Sequence, residues 1–361
     1  MELKIRRAVR PLTERWAALP VAPAGQTLLG LSFRPLQAEA LGLDPRESLA
    51  QLLGYPYGVV RLAAYWDRLE PAPGKFDPSD LDWQVEAAAA AGKQIIICLG
   101  AVKGFGYPEF FVPAHHLPTA LPERTLIEPH THPNLLAAAT AFITRVVRHY
   151  ASHGAVIAWQ VEHEAVDPLG MEHSWRLSAR FVAAEAEAVR AADPSRAVVL
   201  NSFLPTSVPV LAQQWWRTRD QGDSLAVARR LADVVGAGYY PRNAMMRVGG
   251  RTVYLDGSES RWQLRRLAGL MAWAASAGRR VMISEGQAEP WEAVTTPPSE
   301  PGVGMYSCLS EHVIENYNQC KAAGGDGLWA YLFWGAEYWL LRQAQGDERY
   351  VQAVCRVLES R

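Results

Sequence analysis

Eight short runs of β-branched and apolar residues recur along this chain, each followed by a polar loop and then an Ala/Leu-rich segment. The runs are Thr27–Phe33, Val59–Tyr65, Gln94–Leu99, Val156–Val161, Ala197–Asn201, Val234–Gly238, Arg280–Ser284 and Gly327–Phe333. A run that is apolar along its whole length suits a parallel strand covered on both faces. The intervening segments have helical patterns: Leu81–Gly92, Pro133–Gly154, Arg176–Asp193 and Glu259–Gly278. Each stops at Gly or Asp, as helices before a strand tend to. Strands alternating with helices predict βαβ units with right-handed crossovers. Eight such units fit a closed (β/α)8 TIM barrel of the α/β class, with parallel strands and outer helices, better than an open sheet. No linker, low-complexity tract or repeat interrupts the alternation. A single domain over residues 1–361 is expected, with a short N-terminal extension of about residues 1–25.

Charge and cysteine usage narrow the function. The net charge is −1, so a nucleic-acid or anionic-membrane partner is not expected. No stretch approaches the ~18 apolar residues of a membrane span. The segment "MELKIRRAVRPLTERW" carries positive charge with no apolar run behind it, which argues against a signal peptide and for a cytoplasmic location. Cys98, Cys308, Cys320 and Cys355 follow no metal-ligand spacing and suit free thiols in a reducing compartment. The pattern sets no oligomeric state.

The loops after the strands are longer and richer in chemistry than the loops before them. Those after the third, fourth and seventh runs carry "VKGFGYPEFFVPAHHLPTALPERTLIEPHTHP", "HEAVDPLGMEHSW" and "EGQAEPWEAVTTPPSEPG". In a barrel of this kind, loops that follow strands form the catalytic face. Two strands also end in carboxylates. The fourth runs into Glu162-His163-Glu164 and the seventh into Glu285. Charges at the end of a buried strand are costly unless something neutralises or uses them. A pair of carboxyls flanking a cleft is what glycoside hydrolysis needs: one attacks or activates water, the other protonates the leaving oxygen.

These residues resemble clan A of the glycoside hydrolases, whose catalytic glutamates end strands four and seven of a (β/α)8 barrel. The resemblance runs through five motifs in order along almost the whole chain. "VVRLAAYWDRLEPAPGKFDPSDLDWQVEAAAAAGKQIIICLG" looks like the clan's second and third strands, and "WQVEHE" like the strand-four motif. "VGAGYYPRN" looks like the end of strand six, "VMISEGQAEPW" like the strand-seven motif, and "GLWAYLFWGAEYW" like strand eight. The resemblance implies a retaining β-glycosidase that needs no metal or organic cofactor and takes a carbohydrate substrate. Glu164 would be the acid/base and Glu285 the nucleophile. Arg61 would orient the nucleophile, Tyr240 rather than Tyr239 would touch it, and Trp334 would stack under the sugar. Glu337 would reach a hydroxyl, and Asn201, at the end of the fifth run, would support the site. His163 stands where most of the clan has Asn, which leaves the preferred sugar open among β-galactoside, β-glucoside, β-mannoside and β-xyloside. A transglycosidase with the same glutamates, an endo-acting β-mannanase or β-glucanase, and a non-catalytic carbohydrate-binding barrel are the alternatives.

The remaining chemistry-bearing residues get plainer readings. Glu162 is expected to be a structural carboxylate, paired with a barrel arginine. Glu289 and Glu292 are expected to face solvent or to support Glu285. Arg61 lies in an apolar strand and needs a carboxylate partner, either Glu285 or Glu162. His115, His116, His130, His132 and His173 decorate loops with no HExxH or facial-triad spacing, so they are read as surface or subsite histidines and no metal is expected. Phe105, Tyr107 and Phe110 are candidates for a sugar platform. Trp66 and Trp83 are expected to be structural. No Gly-x-Ser-x-Gly elbow or phosphate-binding glycine loop is present.

Overall fold

A computed structural model describes residues 17–106, 109–165, 175–205, 208, 211–212, 215–216, 224–248, 251–256, 261–290 and 307–360. The eight barrel strands are β1 (Leu28–Ser32), β2 (Val59–Ala63), β3 (Gln94–Leu99), β4 (Val156–Val161), β5 (Ala197–Phe203), β6 (Val234–Tyr239), β7 (Arg280–Gln287) and β8 (Leu328–Trp334). They close a barrel in the cyclic order β1-β8-β7-β6-β5-β4-β3-β2. Each strand falls on one of the eight apolar runs. The reason is elementary: parallel strands between a packed interior and a shell of helices are wet on neither face. All five residues of β2 are buried, Arg61 included. Among the described residues no helix is long and apolar enough to cross a membrane.

The chain divides into two compact units. One comprises residues 60–203 and 209–236, the other residues 1–59, 204–208 and 237–361. In the first, the helix Pro133–Tyr150 starts with proline in its first turn, where the missing N–H costs nothing, and buries Leu135, Ala139, Phe142, Ile143, Val146, Val147 and Tyr150. The helix Ala179–Ala192 begins three residues later than its pattern predicts. Ser178 caps it by accepting from the Phe181 amide at 3.2 Å. Arg176–Leu177, expected to be helical, instead pairs in parallel with Leu126–Ile127.

In the second unit, the segment before β1 is tied to the last helices. Ala24 N donates to Ser360 O at 2.8 Å, and Lys321 Nζ donates to Ala24 O at 3.0 Å. The expected N-terminal extension is therefore docked from residue 19 onward, where Arg356 donates to Leu19 O. Residues 1–16 lie outside the described residues. An antiparallel hairpin, Arg242–Val248 with Arg251–Asp256, follows β6 and was not expected. The Gly249-Gly250 dipeptide between two strand-like runs is its signature in the sequence.

The β7 strand is irregular near its end. Along its ladder with β8, Ile283 pairs with Tyr331 and Gly286 with Phe333, so two residues, Ser284 and Glu285, stand opposite Leu332 alone. This bulge re-aims the side chains at the end of the strand. Gly286 permits it, because a Cβ there would overlap the Tyr331 ring. A comparable close approach exists at Gly30, where a Cβ would overlap the Val59 carbonyl oxygen. Gly30→Ala should therefore destabilise the protein by about 1–3 kcal/mol, the usual cost of overpacking. Urea denaturation measures this, and an unchanged midpoint would show that the strands separate freely at this point.

Candidate active site

The strand-four motif folds into a tight turn. Glu162 and Glu164 both have positive φ, 54° and 46°, in a region that side chains other than glycine rarely enter. Strain of this kind at a strand end collects at functional sites. Several bonds hold it. Glu162, completely buried, accepts from the Val102 amide at 2.9 Å and from the Lys103 amide. His163 N donates to Lys103 O at 2.8 Å, and Glu164 N donates to Asn201 Oδ1 at 2.8 Å. Gln160 links the pieces: its Nε2 donates to Glu162 O at 2.9 Å and to Asn201 Oδ1 at 3.3 Å, while its Oε1 accepts from Arg61 Nη1 at 2.8 Å. The Glu164 side chain itself is partly exposed.

Arg61 lies against Phe105. The guanidinium lies 4.6 Å from the centre of the Phe105 ring, whose edge meets His163 with ring centroids 6.2 Å apart. Phe105 is completely buried, which removes it as a sugar platform. Phe110 packs on Trp175 at 4.8 Å between centroids. Tyr107 and His173 lie outside the described residues. The expectation that Arg61 orients Glu285 concerns residues of different units; within its own unit Arg61 donates to Gln160.

Glu162 corrects an expectation. Its side chain is met by two backbone amides and by Glu185, a completely buried residue of the helix Ala179–Ala192, in place of an arginine. Both Glu185 oxygens lack an ordinary donor. Two carboxyls in contact in a dry site share one proton. Burial pushes Glu162 up to about 7, against which the contact with Glu185 and the two amides pull it down. Burial raises Glu185 much further, and the charge of Glu162 adds to the effect. Glu185 is thus the protonated member and donates to Glu162.

The strand-seven side has its own network. Glu285 is 2% exposed, and the Tyr240 hydroxyl donates to its Oε2 at 2.8 Å. Tyr239 points elsewhere, donating to Gln319 Oε1 at 2.6 Å. Gln287 fastens the segment after Tyr240, donating to Arg242 O at 2.9 Å, while Asn316 donates to Gln287 O at 2.9 Å.

Arg34, which follows β1, is the residue that sequence reasoning missed. Its guanidinium donates to Glu337 Oε2 through Nε at 2.9 Å and Nη2 at 2.7 Å, and to both Glu289 oxygens at 2.8 Å. Its backbone N donates to Glu337 Oε1 at 2.6 Å. The same guanidinium lies 4.4 Å from the centre of the Trp334 ring. Burial works against the Arg34 charge, but the two carboxylates more than offset it and its pKa rises. Burial raises Glu337 as well, opposed by Arg34. Glu289, expected at the surface or behind Glu285, is buried and salt-bridged to Arg34. Glu337 is completely buried and spends both oxygens on Arg34. Glu292 lies outside the described residues. Nothing in "FRPL" marks Arg34 as special, since its partners are 255 and 303 residues away.

A family model described as "Beta-galactosidase" of the Glyco_hydro_42 type matches residues 55–183. No curated protein sequence matches. Residues 55–183 are similar to that family, and the chain as a whole has the closed barrel fold. Among solved structures, GH5_18 from Streptomyces cattleya in complex with GlcNAc is similar, with a TM-score of 0.61 and 15% identity over 93% of this chain and 80% of that one. Xylanase 10B from Thermotoga maritima gives 0.57 and 14% identity, over 92% of this chain and 95% of that one. A β-galactosidase from the Antarctic haloarchaeon Halorubrum lacusprofundi gives 0.53 and 16% identity, over 92% of this chain and 58% of that one. At such identities the structural likeness speaks to the fold.

The two networks predict how the protein responds to mutation and to pH. Arg34→Met leaves two carboxylates buried without their cation and should cost about 3–5 kcal/mol in chemical denaturation. Glu162 and Glu185 hold their protons in the folded chain above the ordinary value of 4.5, so the unfolded chain loses protons first as pH rises. The stability they contribute is complete below about pH 4.5. It declines as pH climbs through about 7, where Glu162 ionises in the folded chain. Glu185→Gln keeps a donor to Glu162 and removes one titration, so its melting temperature should fall less than wild type between pH 5 and pH 8. Parallel curves for the two proteins would refute the shared proton.

Proposed function

We propose that this protein is a retaining β-glycosidase that cleaves short β-linked glycosides by double displacement, with Glu285 as nucleophile and Glu164 as acid/base. The observation that carries this reading is Glu285 itself. A carboxylate at the end of a parallel strand, re-aimed by a bulge, accepts the Tyr240 phenol on one oxygen. The phenol orients the carboxylate without neutralising its charge. Glu164, in its strained turn with its amide pinned by Asn201, supplies the second carboxyl.

The chemistry runs in two steps. A Glu285 oxygen bonds to the anomeric carbon as the bond to the aglycone oxygen breaks, and Glu164 gives that oxygen its proton. Water then loses a proton to Glu164 and attacks the same carbon, and Glu285 leaves with the starting configuration restored. Arg61 and Gln160 act through the Glu164 turn, and His163 is a donor beside it. Trp334, with Arg34 against its ring, is assigned to the support of a sugar, while Glu337 fixes Arg34. The description of the matching family model favours β-galactosides as the first substrates to try. Solved structures named for Manβ1-4GlcNAc and for xylobiose keep β-mannosides and β-xylosides in the same panel.

The test is hydrolysis of aryl β-glycosides of the four sugars, with proton NMR to follow the anomer released first. Glu285→Gln should reduce turnover by at least about 10⁴-fold. Glu164→Gln should cost about 10²–10⁴-fold on poor leaving groups and much less on good ones, which need little protonation. Release of the α-anomer, or full activity in Glu285→Gln, would overturn the mechanism. No cleavage of any aryl glycoside would exclude exo-action and turn the search to polysaccharides.

A further inference from the structure

Away from the glutamates of the proposed mechanism, three ligand-type side chains converge on the loops that follow β2 and β3. Glu70 closes the short helix Trp66–Leu69, and His115 and His116 occupy the 3-10 turn Ala114–His116. The Nε2 atoms of His115 and His116 lie 3.3 Å and 3.2 Å from the same oxygen, Oε1 of Glu70. All three ligand atoms lie within 4.8 Å of one another. We propose that Glu70, His115 and His116 form a zinc site, with a fourth position open to water.

The distances argue for a metal over plain hydrogen bonds. A bond from an imidazolium to a carboxylate is short, about 2.7–2.9 Å. Here two ring nitrogens and the Gly74 amide, at 3.3 Å, all surround one oxygen and none comes that close. Zinc holds nitrogen and oxygen ligands at about 2.0–2.1 Å, which gives a tetrahedral edge of about 3.3–3.4 Å. The two nitrogen–oxygen separations match that edge. Two histidines and one glutamate are also a donor set that zinc favours.

The surroundings orient the ligands as a metal site requires. The Trp66 indole N–H donates to the other Glu70 oxygen at 2.9 Å, which fixes the carboxylate plane and leaves Oε1 toward the histidines. The His116 ring packs at a tilt against Trp66, with centroids 4.7 Å apart. Both histidine side chains keep slightly over a fifth of their surface exposed, so water can reach the fourth position.

The ion would act as a clasp. It would join the loop after β2 to the long connection after β3, 45 residues on from Glu70. That same connection supplies the Val102 and Lys103 amides that hold Glu162, and the Phe105 ring under Arg61. The expectation of no metal rested on motifs with fixed spacing along the chain, and a site split between two loops has none.

The experiment is zinc titration of the full chain, without an affinity tag, after chelation and dialysis. Calorimetry should find one zinc per chain, and saturation should raise the melting temperature by several degrees. His115→Ala, His116→Ala and Glu70→Gln should each weaken binding more than tenfold and abolish the thermal shift, with far-UV circular dichroism unchanged. Cobalt in place of zinc should give the visible absorption of a tetrahedral ion in the wild type, a signal that does not depend on any variant folding. Absence of stoichiometric zinc, binding retained in the histidine variants, or a six-coordinate cobalt spectrum would each overturn the proposal.

Discussion

A completely buried carboxyl, Glu162, sets the geometry on which the strand-four turn depends. It cannot ionise in that place without donors, and it finds two in the backbone amides of Val102 and Lys103 and a third in the protonated Glu185. Those contacts bind the end of β4 to the loop after β3. They also hold Glu162 and Glu164 in a left-handed backbone that their side chains resist. The turn then presents Glu164 while its amide rests on Asn201. Stored strain of this kind persists only where neighbouring contacts over-determine it, and Gln160, Asn201 and Lys103 supply those contacts.

The second unit solves the same problem with a cation. Arg34 answers Glu289 and Glu337 together, and its plane covers part of Trp334. A guanidinium suits this task because its fork can satisfy two carboxylates at once. The Glu285 side chain accepts a phenol from the end of β6. A neutral donor helps to orient a nucleophile without neutralising it.

Most of the fold was legible in the residues. The apolar runs became all eight strands because a strand buried on both faces admits few polar residues, and Gly and Asp marked helix ends. Arg176–Leu177 departed because Ser178 is the better N-cap, leaving two residues free to pair with Leu126–Ile127. The hairpin after β6 had a signature, Gly249-Gly250, that the barrel pattern overshadowed. Glu164 and Glu285 stood out because charge at the end of an apolar run needs a reason. Arg34, Glu185 and the group of Glu70 with His115 and His116 did not stand out, since each is one polar residue among many in a loop or on a helix.

The sequence by itself determined the barrel, its strand order and the two carboxylates at strand ends, because hydrophobic periodicity and chain order are local properties that survive without coordinates. Only the tertiary structure decided which charge answers which. Glu162 meets amides and a protonated glutamate instead of an arginine, Glu289 meets Arg34 instead of water, and two neighbouring histidines meet Glu70. Such pairings bring together residues from tens to hundreds of positions apart. Their physical basis is desolvation: once the barrel closes around a charge, the nearest available partner must satisfy it, and nearness is a property of the folded chain.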